Sequence, residues 1–213
     1  TVAEISIGSS IRIVIVYVDQ SYILWRPRED GGGILARAAD GIHWSPDSGE
    51  FSVKIKGRKE PVVWAVASTV AKSGLAEWGT YNPDEPNSPP AATRMYNAVV
   101  MMPEFLELSP AVVTLQRSAI RVARKLLGKM KLSQAPAFGL KFIMSSVKDQ
   151  NPQGQEFWNY KFTSDGIVED EKAFVLYTAM YDAFKREGIR IRDIAGLQDD
   201  DSPAGESVPD EKG

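Results

Sequence analysis

The chain has 213 residues, 43% of them hydrophobic and 25% charged, with no cysteine, a single histidine and a formal net charge of -3. Such a chain can bury one sizeable core, whereas disulfides, thiolate zinc sites, Ser-His-Asp or Cys-His machinery and multi-histidine metal sites lack their raw material. No run approaches the roughly 18 to 20 apolar residues of a membrane-spanning helix, and no signal-peptide pattern opens the sequence, so a cytoplasmic protein without membrane contact is expected.

In chain order, Ile11, Ile13, Ile15 and Tyr17 alternate with Arg12, Val14, Val16 and Val18. That is the period of a strand with one face wholly buried and the other mostly so. Tyr22 to Trp25 and Ile34 to Ala38 predict further short strands, with the triple glycine Gly31 to Gly33 as a flexible turn, since it lacks the spacing of a dinucleotide fingerprint. Phe51, Val53 and Ile55 alternate with Ser52, Lys54 and Lys56, and a β-branched stretch runs from Pro61 to Val70. His43, beside Trp44, is a loop or strand-end residue. The first hundred residues predict a curved antiparallel sheet. Residues 78–93, rich in Pro, Gly, Asn and Ser, predict a long loop.

Strands are expected at Met95 to Met101 and Val112 to Leu115, after which the period changes. From Arg117 to Lys131, steps of 100° put Arg117, Arg121, Arg124, Lys125, Lys129 and Lys131 on one side and Ile120, Ala123, Leu126, Leu127 and Met130 on the other. This is a basic amphipathic helix. A hairpin follows, Phe138 to Val147 and Glu156 to Thr163, with its turn signalled by Asp149, Asn151, Pro152 and Gly154. Asp170 and Glu171 open a second helix that Lys185, Arg186 and Gly188 close, with Phe174, Tyr177, Met180, Tyr181 and Phe184 as an apolar stripe for packing on the sheet. Residues 197–213 have almost nothing to bury and predict a disordered acidic tail, leaving 1–196 as a single β-rich domain.

Charge is segregated along this order. Residues 108 to 148 hold eight Lys or Arg and no acid, a local charge of +8, whereas 199 to 213 hold six acids and one lysine, 1 - 6 = -5. Such patterning concerns association rather than fold. On the hairpin, Trp158, Tyr160 and Phe162 alternate with Phe157, Asn159 and Lys161, beside Lys141 and Lys148. Exposed rings next to cations suit single-stranded nucleic acid, because each stacked base contributes about 1 to 3 kcal/mol while the cations follow the phosphates. A basic helix face is more often solvated surface, and an aromatic stripe more often core. The conjunction of both with an acidic tail, able to compete for the same cations, favours binding. Asp199 to Asp201 lack the rigid geometry of a metal site.

The order of strands, helix, two-stranded hairpin, helix and acidic tail resembles an OB-fold, a five-stranded barrel with its helix between the third and fourth strands. The segment from Lys141 to Lys161, KFIMSSVKDQNPQGQEFWNYK, is similar to the strand, turn and aromatic strand of the OB-fold single-stranded-DNA-binding proteins of tailed phages and prophages. The resemblance implies a mainly β, OB-fold-like antiparallel barrel with two helices, acting in phage DNA replication or recombination in a bacterial host cell. It implies no enzymatic activity and no cofactor. Arg117, Arg121, Arg124, Lys125 and Lys129 would meet phosphates, Lys141, Lys148 and Lys161 would extend the track, and Trp158 and Tyr160 would stack. Trp78 and Tyr81 are weaker stacking candidates. The expected partner is single-stranded DNA; replication or recombination proteins reached through the tail, and a homo-oligomer, are compatible with it. Two rivals remain: a phage structural or interaction module whose basic helix docks an acidic partner, and a carboxylate-dependent nuclease using acids such as Asp19, Asp30 or Asp40.

Overall fold

The structure, a computed structural model, describes residues 8–151 and 154–189; the acidic segment from 197 onward lies outside them. The alternation that begins at Ile11 builds one strand where the sequence suggested two, β1 (Ser10–Trp25). The polar residues Asp19, Gln20 and Ser21 do not interrupt it, because their backbones pair with Asn97, Tyr96 and Met95 across the ladder.

The next stretch is an excursion carrying β2 (Ile34–Ala38), β3 (Gly49–Val53), β4 (Val62–Val66) and the single turn α1 (Val70–Ser73). The turn α1 is a third helix beyond the two expected. It starts where the Thr69 side chain accepts the backbone N–H of Lys72. Strands β3 and β4 form a separate two-stranded sheet, while β2 pairs with the far end of β1. Their core joins Trp44, Val53, Trp64 and Val66 to Tyr22 and Leu24 of β1. The Pro-rich loop after Trp78 is ordered by its own hydrogen bonds, Gly79 N–H to Ser88 O at 2.8 Å and Tyr81 N–H to Pro89 O at 3.1 Å. Gly79 is needed there: its φ is +84°, and a Cβ would stand 3.0 Å from the Pro86 carbonyl oxygen.

The chain then returns to the large sheet with β5 (Ala92–Met101) and β6 (Ala111–Gln116), passes through α2 (Ile120–Leu132), and adds β7 (Leu140–Gln150) and β8 (Glu156–Ile167). The strand order is β6-β5-β1-β7-β8, with β2 paired to β1, and every ladder is antiparallel. This is a mainly antiparallel β fold, with α2 between the third and fourth of the five strands on that path. Among the described residues no ladder joins β6 to β8, so closure is not seen, while the strand order leaves a barrel-like arrangement uncontradicted.

Both faces of the stretch from Ile13 to Val16 of β1 are buried because each is covered. Ile11, Ile13 and Ile15 meet Ala98, Leu115, Phe142 and Phe162, with Ala123 and Leu126 of α2 above them. Val14 and Val16 face the other way, onto Phe138 and Tyr177. Tyr177 belongs to α3 (Glu171–Glu187), whose first turn is capped by the Asp170 side chain accepting from Ala173 N–H. The second helix thus packs on the sheet, as its stripe of Tyr177, Met180, Tyr181 and Phe184 requires.

Candidate nucleic-acid interface

Helix α2 buries Ala123 and Leu126 against the sheet and packs Val122 and Met130 beside them. A helix with that face inward must turn the residues about 100° to 200° away to solvent, and Arg121, Arg124, Lys125 and Lys129 are all exposed. A short 3-10 turn precedes it, with Arg117 at its start, exposed and in the left-handed region at φ 50°.

Two contacts lay this helix against the hairpin. Lys129 Nζ donates to the Phe162 carbonyl at 3.2 Å, and Arg121 Nη2 reaches Asp149 Oδ2 at 3.5 Å. Asp149 also accepts from Asn159 Nδ2 at 3.0 Å across the strands, and from the Gln150 backbone N–H at 2.9 Å. The Asn159 amide first, then the Gln150 N–H and the Arg121 charge, hold the Asp149 carboxyl below the usual carboxylate range. Asn159 is itself buried and its Oδ1 accepts the Tyr160 N–H. Asp149 and Asn159, on the ribbon face opposite Trp158 and Tyr160, join the helix to the hairpin through a contact that the sequence pattern does not show. The one signal in the sequence is that Asp149 is the first acid after the basic run, at a position that also suits a turn.

The register of β7 and β8 decides which side chains share a face. Lys148 pairs with Trp158, Ser146 with Tyr160 and Met144 with Phe162, so these six lie on one side of the ribbon. Phe162 is in the core. Two rungs further out, Trp158 is 67% exposed and Tyr160 39%. Lys148 Nζ stands 5.9 Å from the Trp158 ring centre, within cation–π range, and 3.3 Å from Glu156. The Tyr160 and Phe162 rings lie 6.4 Å apart at 32°, which ties the outer rings to the core.

The structure therefore brings Lys148, Trp158 and Tyr160 into one patch, with Arg117, Arg121, Arg124, Lys125 and Lys129 on the helix fastened to the same hairpin. Lys141 and Lys161 stand on the opposite face of the ribbon, Lys161 exposed and Lys141 3.9 Å from Glu169. Among the described residues, Arg117, Arg124, Lys125 and Lys161 form no ion pair. Of the loop aromatics, Trp78 is 72% exposed, whereas Tyr81 packs on Trp64 with ring centres 5.5 Å apart.

Of the acids considered for metal chemistry, Asp30 is paired with Arg26 at 2.9 Å and Asp40 with His43 Nδ1 at 2.7 Å. Among the described residues no group of three His, Asp or Glu could hold a metal ion, and no helix is long and apolar enough to cross a membrane.

A family model described as Pam3 phage gp34-like protein matches residues 1–190, so the chain belongs to that phage protein family. No curated protein and no solved structure matches it.

Proposed function

We propose that this member of the Pam3 phage gp34-like family binds single-stranded DNA without sequence preference, in phage or prophage DNA replication or recombination, and that it does so without catalysis. One observation carries the reading: the outer rungs of the β7–β8 hairpin present Trp158 and Tyr160 to solvent beside Lys148, with the cationic face of α2 fastened alongside. Indole and phenol rings on an exposed strand are stacking platforms that accept any base, and the helix supplies cations for the backbone.

The topology supports it further. The order β1, β5, β6, α2, β7, β8 follows that of an OB-fold, in which the loops between the first two and the last two strands bind oligonucleotides. Here those connections are the excursion that exposes Trp78 and the hairpin end that exposes Trp158. The acids at 199–213 would compete with DNA for α2 or engage replication and recombination proteins.

A second reading is a structural or interaction module whose basic helix docks an acidic partner; contact with a protein, though not through that helix, has support from a different surface. Helix α3 exposes Val175 and Leu176, and the end of β8 exposes Ile167. DNA has no use for that apolar area.

Titration of a fluorescent oligo-dT strand at several salt concentrations separates the two. The DNA reading predicts binding whose logarithm falls with log salt at about 0.7 per phosphate contacted, and tighter binding by a form ending at Leu197. Failure of both forms to bind at low salt would leave the interaction-module reading.

A further inference from the structure

The outer face of β1, β5 and β6 is only partly covered by α3, and the uncovered part floors a cavity of about 870 Å³. A bulge between Ile15 and Tyr17 sets the phase of the outer half of β1, so that Asp19 and Ser21 share a face with Tyr17, which stacks on Phe184 of α3. The floor continues across the sheet through hydrogen bonds. Asn97 Nδ2 donates to Ser21 Oγ at 2.8 Å and Thr114 Oγ1 donates to Asn97 Oδ1 at 3.0 Å, with Ser21 and Asn97 only 2% and 1% exposed. One wall is the excursion loop with Arg37, Asp40 and His43; the other is the end of α3 from Glu187 to Ile189.

The charge of this lining is opposite to that of the hairpin and α2. Among the described residues of the lining, three carboxylates, Asp19, Asp40 and Glu187, stand against one guanidinium, that of Arg37. Asp40 is already satisfied by His43 and by the backbone N–H groups of Ile42 and His43. Asp19 has no ion pair among the described residues. Its burial pushes the carboxyl above the ordinary range despite the N–H groups of Ile189 and Gln20 that it accepts. A half-buried carboxylate without a counter-ion, beside hydroxyls whose lone pairs remain able to accept, lacks a cationic donor and would repel a phosphate.

We propose that this cavity binds a guanidinium or ammonium group, with Asp19 as its counter-charge and the Ser21 and Thr114 hydroxyls accepting its other N–H groups. The cation comes either as a free small amine or as the side chain of a basic segment of a partner. The assignment is independent of the DNA reading.

Calorimetric titration of the full chain at low salt with agmatine, and separately with the peptide Gly-Arg-Gly, tests it. Binding of both probes, of agmatine alone or of the peptide alone supports the site and identifies, respectively, the group itself, a free amine or a peptide-borne cation as what is recognised. Asp19→Asn keeps the oxygen that accepts backbone N–H groups but removes the charge, and should weaken binding about tenfold. Glu187→Gln, at the exposed end of α3, should weaken it less and serves if the first variant unfolds. Trp158→Ala should leave it unchanged, which separates this site from the DNA surface. No binding of either probe by the wild-type chain, or unchanged affinity in a folded Asp19→Asn protein, overturns the proposal.

Discussion

The two ends of the β7–β8 hairpin have the same chemistry and opposite fates. On one face of one ribbon, Phe142, Met144 and Phe162 at the inner end are packed under Ala123 and Leu126 of α2. Ser146, Tyr160, Lys148 and Trp158 follow on the same face and are half-buried or exposed. Rings occupy both ends. Whether a ring is buried or left to solvent is set by what packs over it, because the alternation itself does not change along the ribbon.

The largest loss is expected at the inner end. Phe142→Ala should cost about 3 to 5 kcal/mol of stability by leaving a cavity in the core between the sheet and α2, measured by chemical denaturation. At the outer end Trp158→Ala should leave the denaturation midpoint almost unmoved and lower oligo-dT affinity by about 1 to 3 kcal/mol, roughly five- to 150-fold. Tyr160→Ala, less exposed and partly leaning on Phe162, should follow with a smaller loss in the same anisotropy titration.

This contrast also shows where the sequence was legible. The period-2 pattern identified β1, β5, β7 and β8, and the 3.6-residue pattern identified α2 and its exposed cations, because each is a local property of side-chain order. The union of Ile11 to Val18 with Tyr22 to Trp25 into one strand was not legible, since Asp19 to Ser21 are held in the sheet by β5, more than seventy residues away. The same holds for Asp149 and Asn159, whose cross-strand hydrogen bond follows from register, and for Lys141, which the register places away from Trp158; the alternation along β8 already put Lys161 opposite Trp158. Composition foresaw a long loop after Trp78. It did not foresee that Gly79 and Ser88 would order it.

Smaller effects are expected on α2 and at the end of β7. Replacing Arg124 and Lys125 together by Ala should lessen the salt slope of binding by about 1.4 if each neutralises one phosphate, with no effect on folding, since both are exposed and unpaired among the described residues. Asp149→Asn should give the smallest effect, and a pH-dependent one. The Asp149 carboxyl is held below its ordinary range in the folded state. It therefore contributes stability that is present above the unfolded value, about 3.9, and is lost as pH falls through the lower folded value. The wild-type chain should be the more stable at neutral pH, and the difference should vanish in acid in parallel thermal melts.

The outward face of the hairpin is tested most directly by tryptophan emission during titration with oligo-dT, comparing the wild-type chain with Trp158→Phe and Trp78→Phe. If Trp158 is the stacking platform, quenching is largely lost in Trp158→Phe and retained in Trp78→Phe. Full quenching in Trp158→Phe would contradict the account, because the base would then be stacking elsewhere and the exposed end of the hairpin would not be where DNA binds.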